Sequence, residues 1–182
     1  MWNIALIAGG IVGALVVVVL ILAYRKPDVF RVVRTTTINA PPATVFGYLN
    51  DFRRWTAWSP WEKLDPELKR TYSGADSGVG AKYAWEGNKN VGAGSMEIVE
   101  STAPSRIALK LDFSRPFEAH NMTEFTCEPV GSGTKITWDM HGPNQCMGRI
   151  MGVFIDMDKM VGKDFETGLA NLKAAAEGEA GR

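Results

Sequence analysis

Charge is missing from the start of this chain: none of its first 24 residues is Asp, Glu, Lys, Arg or His. Cysteine is nearly missing too. Cys127 and Cys146 are the only two, too few for a disulfide framework and suited to a reducing compartment. Net charge is zero, 20 basic against 20 acidic residues, which argues against a general nucleic-acid binder with its basic surface. There is no zinc-type Cys/His spacing, no G-x-S-x-G nucleophile, no P-loop and no dinucleotide fingerprint. The residues therefore call for no metal, no cofactor and no catalytic constellation. Repeats and low-complexity stretches are absent as well. What is present is a folded body, because six Trp, four Tyr and eight Phe in regular apolar patterns exclude intrinsic disorder.

The uncharged run from Trp2 to Tyr24 has 23 residues, about 34 Å as a helix. A bilayer core is about 30 Å, so the run reads as one transmembrane anchor over residues 1–26. Trp2 and Tyr24 stand at its two ends, and Arg25 and Lys26 follow, which by the positive-inside rule puts residues 27–182 in the cytoplasm. A cleaved signal peptide fits less well, since the run lacks a basic start and exceeds the usual apolar length. Gly9-x-x-x-Gly13 matches a helix-dimerisation spacing and allows a weak homodimer, although glycine is common in membrane helices.

Pro27 ends the anchor, and a β-branched strand runs from Phe30 to Ile38. Val45, Phe46 and Leu49 mark a short amphipathic helix. After about Lys69 the period becomes two. Successive apolar faces are Ala81, Tyr83 and Trp85; Met96 and Ile98; and Ile107, Leu109, Leu111 and Phe113. Further on, Ala119, Asn121, Thr123, Phe125 and Cys127 share one face, as do Ile136, Trp138 and Met140. This is an antiparallel meander with one dry face. From Met147 to about Ala176 apolar residues recur every three or four positions, predicting one helix of roughly 30 residues weakened by Gly148, Gly152, Gly162 and Gly168. The class is α+β: a curved antiparallel sheet with one long C-terminal helix over its dry face.

Four stretches carry a resemblance: NDFRRWTAWSPW (Asn50 to Trp61), YAWEGN (Tyr83 to Asn88), Pro116-Phe117 and TKITWDMHG (Thr134 to Gly142). With the helix around Met157 to Lys173 they resemble the START-like SRPBCC superfamily, in its polyketide cyclase/dehydrase and lipid-transport-like branch. The resemblance implies a helix-grip fold with an apolar cavity between sheet and helix. It also implies a hydrophobic small molecule or lipid as ligand. Its other implications are a polyketide cyclase or dehydratase activity, or a protein-docking role like that of the related cochaperone branch.

On that basis the expected lining is Tyr83, Trp85, Met96, Leu111, Phe113, Phe125, Trp138 and Met140 from the strands, with Met151, Phe154 and Ile155 from the helix. Asn121 and Thr123 are the polar residues that alternation places inside, the usual make-up of a ligand pocket. Trp55, Trp58 and Trp61 either frame the mouth or seal the core, the second being the commoner fate of buried aromatics. His120 and His141 fall out of phase with the dry face and read as surface residues; Cys127 reads as an inert core thiol. Cys146 opens the last helix without a nearby histidine, and Asp158, Lys159, Lys163, Asp164 and Glu166 read as that helix's solvated face.

Overall fold

The period-two runs pair as seven antiparallel strands in a computed structural model that describes residues 2–144 and 146–181, except for side chains at 2–8, 146, 147 and 157. The Trp2 ring, Gln145 and the Cys146 thiol lie outside the described residues. Helix α1 (Trp2–Tyr24) leads into β1 (Val29–Ile38), α2 (Pro42–Asn50) and two 3-10 turns, Phe52–Ala57 and Pro60–Lys63. Then come β2 (Lys69–Gly74), β3 (Ala81–Glu86), β4 (Ala93–Thr102), β5 (Arg106–Arg115), β6 (Ala119–Val130) and β7 (Gly133–Pro143). Helices α3 (Cys146–Phe154) and α4 (Met157–Ala180) follow. The sheet order is β1-β7-β6-β5-β4-β3-β2, so a meander is closed by β1 pairing back onto β7.

Pairing carries the alternation of each strand into rows that cross the inner face. One row is Val32, Met140, Thr123, Leu109 and Ile98; the next is Arg34, Trp138, Phe125 and Ile107. Asn121, Leu111, Met96 and Tyr83 form a third. Strand twist and a bulge between Ile98 and Glu100 bend these rows into a trough. Helix α4 lies along it and buries Phe165, Leu169, Leu172 and Ala176, the expected 3.6-period stripe. Gly168 is where helix and sheet come closest: an added Cβ would sit 2.9 Å from Trp138 Cζ3 and 3.2 Å from Pro60 Cδ. Gly162 does the same for Arg34, whose guanidinium lies across the helix there.

The expected single 30-residue helix is two helices. Asp156 stops the run by acting as N-cap of α4, its side chain accepting a 3.2 Å bond from Lys159 N. Helix α3 leaves the sheet and packs on α1, tied to the strand ends by Arg149, which donates to Asn144 O at 2.8 Å and pairs with Asp28. The expected membrane crossing is also corrected. Among the described residues no helix is long and apolar enough to cross a membrane. The single-pass, cytoplasmic placement built on that crossing falls with it.

Gly168→Leu is expected to force Trp138 or Pro60 aside and lower unfolding stability by about 1–3 kcal/mol in urea titrations. Gly178→Ala, where an added Cβ meets nothing within 4 Å, should instead be neutral or stabilising by up to about 1 kcal/mol.

Candidate functional site

One end of the trough is closed by aromatic rings. Trp138 stacks on Phe165 with centroids 3.9 Å apart and planes at 9°, while Trp58, Trp61 and Phe125 meet Trp138 at 5.4, 5.9 and 5.0 Å. Pro60 interrupts the helix that a three-residue tryptophan spacing would suggest, so Trp55 and Trp61 sit on two successive 3-10 turns and Trp58 caps the first. Trp55 Nε1 donates to Leu49 O at 3.0 Å and Trp58 Nε1 to Tyr48 O at 3.3 Å. Both indoles are buried and hydrogen-bonded, which makes them the seal of the core.

The other end is open. Trp85, Leu111 and Phe113 on β3 and β5 are half-buried, and Trp85 meets Phe113 edge to face at 5.6 Å. Trp85 Nε1 donates to Val91 O at 3.3 Å, and Gly94 leaves room for its ring. Met96 and Met140 lie below, both buried. On the same floor stand Asn121 (7% exposed) and Thr123 (2%), next to Trp138 (3%). Asn121 Oδ1, Thr123 Oγ1 and Trp138 Nε1 are buried without a hydrogen-bond partner. Such groups ordinarily cost about 1–3 kcal/mol each, and they cluster where a ligand or water completes them.

Beside the open end is a buried carboxylate that alternation did not reveal, because Glu62 lies on a 3-10 turn. Its side chain is 6% exposed; it accepts from Tyr83 Oη at 2.7 Å and from Arg70 Nε at 2.6 Å. Burial, and then this bond to a carboxylate, hold the Tyr83 phenol far above its ordinary range. Tyr83 therefore donates to Glu62 and stays protonated.

Met151, Phe154 and Ile155 do not join the lining. The break at Asp156 puts them on or just after α3, where Phe154 is 72% exposed and Ile155 also faces outward. The charges of α4 are less uniform than a solvated face. Arg34, from the inner face of β1, donates to Glu166 Oε1 at 2.9 Å and to Asp158 Oδ1 and Oδ2 at 3.0 and 3.1 Å, pinning the first turns of α4. Asp164 is half-buried, and that burial raises its carboxyl above the ordinary value. It lies seven residues before Asn171, on the same flank of the helix, and Asn171 Nδ2 donates to Trp58 O at 3.1 Å. His120 is exposed and bonded to Asp112, and His141 lies on the outer face near Asp139, both away from the trough. Among the described residues two hollows, of about 430 and 590 Å³, are open depressions near the ends of β2 and β3; neither includes Asn121 or Thr123.

The family model described as polyketide cyclase / dehydrase and lipid transport matches residues 29–177. A search of curated proteins returns no match to the chain. Among solved structures, a Chromobacterium violaceum protein superposes with TM-score 0.58 at 18% identity, over 84% of this chain and 99% of that one. The Aha1 dimer from Colwellia psychrerythraea gives 0.55 at 14%, over 81% and 96%. A Staphylococcus epidermidis protein gives 0.57 at 17%, over 85% and 93%. At these identities the structural likeness shows the fold.

Tyr83→Phe leaves Glu62 Oε1 without its donor and is expected to cost about 1–3 kcal/mol of stability in a urea titration. Alkaline behaviour follows from four groups raised by burial, the phenols of Tyr48, Tyr72 and Tyr83 and the thiol of Cys127, which is pushed up to about 12. Raised native values favour the protonated forms, so this contribution is complete below about pH 9 and is lost as pH rises further, where the unfolded chain ionises first. Melting temperature should fall steadily above pH 9, and Cys127→Ala should flatten that fall between pH 9 and 12.

Proposed function

The chain belongs to the polyketide cyclase/dehydrase and lipid transport family, and from that membership we propose that it binds a hydrophobic small molecule or lipid at the open end of its trough. The observation that carries this reading is the pair Asn121 Oδ1 and Thr123 Oγ1, buried and unpartnered beside the half-buried Trp85, Leu111 and Phe113. An apolar wall with a few placed polar groups is the usual make-up of a ligand site. The aromatic packing at the closed end confines the ligand to the other half. Entry moves the rim side chains outward, and burial of the ligand's apolar surface supplies about 25 cal/mol per Å² before binding costs.

Turnover of the cyclase or dehydratase kind has less support. It needs an acid or base inside the trough, and Tyr83 is committed to Glu62. A protein-docking module without ligand is the second reading, favoured by how fully Trp58, Phe125, Trp138 and Phe165 fill the closed end.

Uptake of Nile red by the full chain tests the proposal. Saturable binding is expected, weakened at least tenfold by Leu111→Arg while circular dichroism stays native. Binding that Leu111→Arg leaves unchanged would place the dye elsewhere and remove the trough as its site. A single stoichiometric crosslinked protein partner, with no uptake, would select the docking module instead.

A further inference from the structure

We infer that α1 and α3 form the interface of a two-fold dimer, in which the α1 helices of two copies of this chain run antiparallel and each α3 covers the N-terminal half of its partner's α1. The exposure of α1 is what calls for a partner. From Ile11 to Leu22 nine Ile, Leu and Val side chains are 44–60% exposed, and at 100° per residue they point to every side of the helix. Ala23 is buried and Val19, one turn earlier, is half-buried; they mark the side of α1 on which α3 packs. A helix that is apolar all round is stable in an interior, not in water. The nine side chains expose on the order of 80 Å² apiece, close to the roughly 800 Å² per copy that a stable interface buries and above the largest patch of a typical monomer.

The occupant is a second copy because the surface complements itself. Helix α3, about 13 Å long, lies beside only the C-terminal part of α1, where a Cβ added at Gly152 would be 4.0 Å from Lys26 Cε. It ends in Phe154, which stands out 72% exposed, with Ile155 beside it. The other end of α1 is slender instead: Gly9, Gly10 and Gly13 carry no side chain, and an added Cβ there meets nothing within 4 Å. Antiparallel pairing sets the protruding end of each copy against the slender end of the other, the reciprocal contact that a two-fold axis demands. Helices α1 and α3 of both copies then enclose one apolar core, as in a four-helix bundle.

Charge fixes the direction. No charged side chain precedes Arg25, so nothing along α1 opposes apolar pairing. Parallel helices would bring Arg25 and Lys26 of both copies side by side. Antiparallel helices hold the two pairs more than about 20 Å apart, beyond the Debye length of about 8 Å at physiological salt.

Sedimentation velocity of the full chain over a dilution series tests this. A species of twice 19.9 kDa is expected. Leu15→Lys should weaken its association at least tenfold while circular dichroism stays native. Val79→Lys, at a valine 59% exposed on the loop between β2 and β3, should leave the dimer unchanged. Nitroxide labels on Tyr24→Cys, in a Cys146→Ser chain, should lie more than about 20 Å apart across the dimer, and a separation under about 15 Å would overturn the antiparallel arrangement. A chain that stays monomeric, or a dimer that Leu15→Lys leaves intact, would overturn the inference. So would a monomer that floats with phosphatidylcholine vesicles, an outcome that gives this face to lipid. Nile red uptake at the trough is untouched by any of these results, so the binding reading stands or falls separately.

Discussion

Helix α4 can close the trough because Gly168, where it comes nearest the sheet, has no side chain. Gly168 lets the helix settle against Trp138 and Pro60, and three residues earlier Phe165 stacks on the Trp138 ring at 3.9 Å. Trp138 is the meeting point of the sheet, the 3-10 turns and the helix, since Trp58, Trp61 and Phe125 also contact it. Arg34 secures the same approach at the helix start, reaching from β1 across Gly162 to Asp158 and Glu166. Interiors are packed as densely as organic crystals, so filling one end with rings leaves accommodation only at the other.

That asymmetry organises the chemistry. At the closed end the Trp55 and Trp58 indole N–H groups donate to backbone carbonyls. One and two rows away, on the floor of the open end, Thr123 Oγ1 and Asn121 Oδ1 are buried without a hydrogen-bond partner. A local rule of folding is broken just where the walls become half-exposed and apolar. Such breaches concentrate at functional positions, because a group left unsatisfied by the fold is available to a ligand.

Charge is likewise arranged around the trough. Glu62 gathers Tyr83 and Arg70 into one buried cluster, so its carboxylate serves the fold and its neighbours stay protonated. Asp156, two residues past the end of α3, caps α4, which separates the sheet-covering helix from the pair α1 and α3.

Alternation alone determined which residues share the inner face, because side chains on a strand must point to opposite sides and register carries that choice across the sheet. Tyr83, Met96, Leu111, Asn121, Thr123, Phe125, Trp138 and Met140 all stand where their spacing puts them. The sheet was legible in the same way and the grip helix by its 3.6-residue period, while the family was legible from the resemblance of a few short stretches. Three matters were decided only by tertiary structure. Apolar periodicity continues straight through Ile155 and Asp156, so the pattern could not show that a cap divides the helix and carries Met151 and Phe154 away from the trough. Asp164 read as part of a solvated face, and Glu62 and Arg34 carried no signal of their own, until chain segments far apart in sequence brought partners or burial to them. Whether the trough is hollow depends on how large rings from five elements interlock, and packing of that kind is a property of distances that no one-dimensional spacing contains.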